Sequence, residues 1–148
     1  MSMHLEAFMP CLGEVNASCK MKEINVPDDC CGHPNPTDTP RILTPNADLE
    51  VCFNINYNGP LFKILPPTCN WKCEVWFENV GGLPDLNFQK SVLGAHNPNT
   101  GNISPSVTIP YDCGIPCTAY RPICKVTLEC NGCVLVTAFS EGNIILFG

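Results

Sequence analysis

Twelve of the 148 residues are cysteine, and the spacing of several could support chemistry. Cys69-x3-Cys73, Cys113-x3-Cys117 and Cys130-x2-Cys133 have separations that zinc sites use. Three histidines, His4, His33 and His96, could complete such a site or serve as the base for a cysteine nucleophile. Context disfavours both. Zinc pairs usually sit on knuckle turns of small modules with little core, whereas these pairs fall at strand ends of a chain rich in apolar residues. All three histidines lie in expected arm or loop, where a base is poorly held, and a reactive thiol among so many others would be a liability. The sequence contains no G-x-S-x-G elbow, no phosphate-cradling Gly-Lys loop and no H-E-x-x-H. Asp28, Asp29 and Asp38 lack the spacing of a calcium loop. The reading is therefore of no enzyme, no metal and no cofactor, with the cysteines in disulfides.

Cys30 and Cys31 are adjacent, in the stretch DDCCGHPNP. Consecutive Cα atoms stand only about 3.8 Å apart, below the usual disulfide separation, so each of these thiols needs its own partner. Twelve cysteines allow roughly ten thousand full pairings, so connectivity cannot be read from spacing. Cys130 and Cys133 bracket Asn131-Gly132, a hairpin-turn dipeptide that brings cross-strand partners toward disulfide distance. The division along the chain is informative: Cys11, Cys19, Cys30 and Cys31 fall in the first forty residues and the other eight beyond them.

The elements that must position these thiols are short strands. Residues 1–40 are broken by Pro27, Pro34, Pro36 and Pro40 and have few large apolar side chains, so they read as an extended Cys/Pro-rich connector arm. HLEAFM within it suggests a helical turn or two, and MKEINV is its one candidate strand. Residues 41–148 carry about seven strands with turn signals and no convincing helix. An all-β fold follows, a single antiparallel β-sandwich of immunoglobulin-like or jelly-roll type. Cys52, Trp71 or Trp76, and Cys124 or Cys130 follow the Cys…Trp…Cys order of immunoglobulin domains, loosely spaced, while Tyr120 misses the tyrosine-corner position.

Period-two alternation is sharpest in LEVCFNINY and WKCEVWFEN. It puts Leu49, Val51, Phe53, Ile55 and Tyr57, and then Trp71, Cys73, Val75 and Phe77, on core faces. Cys52 and Trp76 are thereby turned outward, where each wants a cover, and Trp76 becomes an interface candidate. Cys11, Cys19, Cys30, Cys31 and Cys52 are the candidate cross-linking residues. Cys69, Cys73, Cys113, Cys117, Cys124, Cys130 and Cys133 are candidates for disulfides within the sandwich.

The formal charge is −6 and the eight Lys and Arg residues are scattered singly, which disfavours a nucleic-acid surface or an anionic membrane. No apolar run approaches a membrane span, and MSMHLEAFMPCLGE does not read as a signal peptide. The sequons at Asn16 and Asn102 are no more than chance would supply. In layout the chain resembles spore-appendage-type fibre subunits, on the strength of the paired cysteines in the arm and the strand pattern. In that family a cysteine-bearing connector precedes a jelly roll made without a signal peptide. The resemblance implies that Cys30 and Cys31 cross-link subunits, with sandwich cysteines as acceptors. The expected function is a self-assembling structural subunit of a disulfide-stabilised filament, appendage or coat. Its partner would be itself, and its location extracellular or at a cell or spore surface. The alternative is a monomeric secreted binding module, adhesin- or inhibitor-like, using loops such as HNPNTGN.

Overall fold

The computed structural model describes residues 3–8, 13–25, 42–43, 46–81, 89–110 and 118–147. They form strands β1 (His4–Phe8), β2 (Glu14–Ile24), β3 (Ile42–Leu43) and β4 (Asp48–Asn58), then helix α1 (Pro60–Ile64). Strands β5 (Asn70–Asn79), β6 (Gln89–Ala95), β7 (Asn102–Ile103), β8 (Ser106–Ile109), β9 (Thr118–Cys130), β10 (Cys133–Glu141) and β11 (Ile145–Phe147) follow. The described residues are all-β apart from α1, a single turn that replaces the simple bend expected at Asn58-Gly59-Pro60. Gly59 at φ 138° lets the chain swing in, and Pro60 supplies the preset first helical residue. Among the described residues no helix is long and apolar enough to cross a membrane.

Two sheets result. In the smaller, β2 and β4 pair antiparallel, and β8 and β7 lie end to end along the other edge of β4. The larger runs β6-β5-β9-β10-β1, and β11 continues along the same edge of β9 as β10, with β3 parallel beside it. Alternation dictates the faces: Leu49, Val51, Phe53, Ile55 and Tyr57 of β4 and Trp71, Cys73, Val75 and Phe77 of β5 are all buried. Both sets belong to one core, shared with Met21, Tyr120, Val126, Leu128 and Val136. Each large side chain buried there contributes about 1.5–3 kcal/mol.

Prolines decide where the ladders break. Pro122 lies inside β9, which is paired on both sides, a position proline normally avoids. The N–H and C=O of a strand residue face the same neighbour, and the carbonyl of Pro122 accepts from Gly142 N at 2.7 Å. Its missing donor therefore faces the gap between β10 and β11, where three residues stand opposite two and no ladder bond is required. Pro105 separates β7 from β8 in the same way, its carbonyl accepting from Phe53 N at 2.9 Å. Asn131 and Gly132 take φ of 52° and 79°, the paired positive values of a two-residue hairpin turn.

The N-terminal reading needs correction. His4–Phe8, expected as a helical turn, is a strand because the edge of β10 is there to pair it. Glu14–Ile24, expected as arm with only its end, in MKEINV, as a candidate strand, pairs with β4 at every position from Glu14↔Asn58 to Ile24↔Asp48. Ala17, Cys19 and Met21 face the core, while Asn16 and Lys20 are exposed and Ser18 and Lys22 partly so. These inward residues are small or flexible, so the segment looked core-poor by composition although its alternation is regular. Residues 26–40, with Cys30 and Cys31, lie outside the described residues, so the arm reading rests on them alone.

Met21 is fully buried, and Met21→Ala should cost about 2–5 kcal/mol of unfolding free energy in a urea titration. A change within about 0.5 kcal/mol, as for an exposed site, would return the segment to an arm.

Candidate functional site

Seven of the twelve cysteines are described, and they occupy three environments. Cys11, Cys30, Cys31, Cys113 and Cys117 lie outside the described residues.

The first environment is a row at one end of the larger sheet. Cys69 immediately precedes Asn70, which pairs with Glu129, so Cys69 stands opposite Cys130 across β5 and β9. The two are joined in a disulfide with a Cα–Cα distance of 4.4 Å. Across the other edge of β9, Cys130 is in register with Cys133, an exposed thiol at the hairpin turn. The expected Cys130–Cys133 proximity is therefore present, but the bond goes to Cys69, sixty-one positions away.

This end is braced by aromatic rings. Tyr57 stacks on Trp71 at 5.4 Å between centroids, and Phe62 of α1 packs on both. His96, the first residue of the loop after β6, lies against the same cluster and is buried. Its Nδ1 accepts from Trp71 Nε1 at 3.2 Å, its Nε2–H donates to the carbonyl of Phe62 at 2.7 Å, and its backbone N–H donates to Cys69 O at 2.9 Å. Both ring nitrogens are thus engaged by groups other than a thiol. Among the described residues no three His, Cys, Asp or Glu side chains converge as a metal site would require.

The second environment is the outer face of the smaller sheet. Cys52 points outward there, as alternation predicts, and is half-buried between Lys20 on β2 and Ser106 on β8. Its thiol donates to Glu50 Oε1 at 3.0 Å, and Lys22 Nζ stands 3.3 Å from the same oxygen. Partial burial, followed by the hydrogen bond to Glu50 and its charge, pushes the Cys52 thiol up to about 11. The bond from Cys52, helped by Lys22, holds the Glu50 carboxyl below its usual range. Above Cys52 the face is neutral amide: Asn102 Nδ2 donates to Asn54 Oδ1 at 2.9 Å and to Asn56 Oδ1 at 2.7 Å.

The third environment is the core. Cys19, expected to reach outward, faces inward from β2 and meets the opposite sheet. It hydrogen-bonds Cys124 of β9, and its sulfur lies 3.5 Å from Ser140 Oγ of β10. Cys73 of β5 stands nearby, and burial above all, then the charges of Cys19 and Glu74, pushes its thiol up to about 12. Cys124 is raised by its bond to Cys19 and by burial, which makes it the donor and Cys19 the more acidic of the two. Trp76 is half-buried on the outer face of the larger sheet, in register with Ile123 and Gln89.

Two surface pockets adjoin the end of β4. One of about 460 Å³ is lined by residues 13–16 and 56–58, and one of about 270 Å³ by Tyr57, Asn58, α1 and the loop 98–101. Comparison of the chain with protein-family models, with curated proteins and with solved structures finds no match.

Two outcomes follow. Cys69→Ser/Cys130→Ser should lower stability by about 2–4 kcal/mol, measured by denaturant unfolding against the oxidised parent. Alkylation of Cys52 should keep accelerating with pH beyond about 10, where an ordinary thiol levels off, because its thiolate is only half formed near 11. Mass-resolved iodoacetamide labelling of Cys133→Ser protein reads this rate. Glu50→Gln should raise it at any pH below that point, and an unchanged rate would remove Glu50 as a cause.

Proposed function

We propose that the protein is a structural, self-assembling subunit of a disulfide-stabilised filament, appendage or coat. It acts outside the cell or at a cell or spore surface and performs no catalysis. The observation that carries this reading is the placement of Cys52 and Cys133. Both are thiols on the outside of a body whose core and internal disulfide are complete without them, and they stand on different faces. Cysteines spent on internal stability would sit as Cys69 and Cys130 do. Cys30 and Cys31, which cannot bond each other readily, are the proposed donors from a connector, and an outward cysteine of another copy is the acceptor.

We read the two sheets as an immunoglobulin-like sandwich in preference to a jelly roll. β2, β4 and β7/β8 in one sheet correspond to strands A, B and E, and β5, β9 and β10 in the other to C, F and G. β6 beside β5 fits the additional C′ strand, and Trp71 occupies the buried position on strand C.

A secreted binding module is the second reading. It is favoured by the two pockets at the end of β4, one of them bounded by the loop 98–101, whose lining of Asn16, Asn56, Asn58, Asn99, Thr100 and Tyr57 suits a neutral polar ligand.

A denaturing gel without reductant separates the two. The subunit reading expects a ladder or material too large to enter, collapsing on reduction to one band near 16.2 kDa. It also expects Cys30→Ser/Cys31→Ser to keep a folded body and lose the ladder. A single band near the monomer mass without reductant would overturn covalent assembly and leave the binding module.

A further inference from the structure

Cys130 is flanked on both sides within one cross-strand row, by Cys69 just before β5 and by Cys133 on β10. Residues directly opposite on antiparallel strands project from the same face with Cβ atoms about 4.5–5.5 Å apart, so the three side chains share one face of the sheet. Cys133 stands on the far side of Cys130 from Cys69. Displacement at sulfur proceeds in line, with the attacking thiolate opposite the sulfur that leaves, and the cross-strand order Cys133, Cys130, Cys69 is the order such an attack needs. Exposure differs sharply along it: Cys133 is open to solvent, Cys130 partly so, and Cys69 is 1% exposed.

We propose that Cys69, Cys130 and Cys133 form a thiol–disulfide exchange site in which the bond moves between two partners of Cys130. The Cys133 thiolate attacks Cys130 Sγ, the Cys130–Cys133 bond forms, and the Cys69–Cys130 bond breaks. The electron pair leaves on Cys69, which takes up a proton equivalent to the one Cys133 gave. One disulfide and one thiol stand on each side of the step, so no outside oxidant or reductant is consumed. Return is favoured, because Cys69 leaves into a buried position beside Trp71, within direct reach of Cys130, and the bond it re-forms closes the longer loop. The exchange makes the bond addressable from outside: capping Cys133 fixes it at Cys69, and freeing Cys133 releases it.

Trypsin leaves Cys69 on residues 64–72 and places Cys130 and Cys133 together on residues 126–148. One connectivity therefore joins two peptides, and the other is a loop inside one. Full-length protein is held at mildly alkaline pH without oxidant, acid-quenched, alkylated with N-ethylmaleimide in acidic denaturant, digested unreduced and mapped by mass with fragmentation. The expected result is a major population with Cys69–Cys130 bonded and Cys133 alkylated, and a minor one with Cys130–Cys133 bonded and Cys69 alkylated. The minor population should appear more slowly at acid pH and be lost in Cys133→Ser, a change at an exposed turn. Cys69–Cys130 as the sole connectivity under alkaline conditions, or Cys130 bonded to a cysteine outside the row, would overturn the proposal.

Discussion

One buried imidazole holds the cysteine-bearing end of this molecule together. His96 has two ring nitrogens with opposite needs, and the surroundings answer both: an indole N–H for the acceptor and a carbonyl for the donor. That arrangement fixes the tautomer and ties β5 to α1, two elements with no ladder between them. Because the backbone N–H of the same residue holds the carbonyl of Cys69, the placement of the disulfide depends on it as well. The aromatic rings of Tyr57, Phe62 and Trp71 close around the joint, and each would lose packing if the imidazole shifted. A satisfied polar group inside an apolar cluster of this kind specifies one arrangement, since any other leaves a buried donor or acceptor unmet.

The same side-chain type behaves in three ways within one small body. In the core, Cys19, Cys73 and Cys124 act as small apolar groups that bridge the sheets; the bond from Cys124 separates its acidity from that of Cys19, and burial raises Cys73. On the outer face Cys52 is kept protonated by partial burial and a carboxylate neighbour. At the turn, Cys133 stands in water beside a disulfide. Which thiols are quiet and which are available is set by register and burial, not by cysteine content.

Much of this was legible in the sequence, and the failures have physical causes. The faces of β4 and β5 could be read because large apolar residues alternate strictly with polar ones, and the Asn131-Gly132 turn because few other dipeptides accept two positive φ values. Only the end of β2, within MKEINV, was read as a candidate strand; the rest was missed although it alternates, since Val15, Ala17 and Cys19 carry little hydrophobic weight. Cys19 was misplaced with it. His96 was rightly placed at the start of the Pro/Asn/Gly-rich loop, but that setting gave no sign that its side chain turns back into the core. The cysteine row was not legible at all. Cys69 meets Cys130 only through the pairing of β5 with β9, a long-range register that spacing along the chain does not encode.

The break opposite Pro122 divides the edge of β9 into two independent lengths. β10 is secured along eight register positions and the hairpin turn, whereas β11 holds three, plus a two-residue parallel pairing with β3. Cooperativity along a ladder passes from one bonded pair to the next, so it stops at the gap. Opening β3 and β11 would uncover Leu43 and Ile145, at about 1.5–3 kcal/mol each, against the 5–15 kcal/mol typical of a whole domain. β9 would keep its ten pairs with β5 throughout. A proline that looks misplaced in a central strand thus acts as a perforation, confining the first loss of native structure to one corner and away from the cysteine row at the opposite end of the strand.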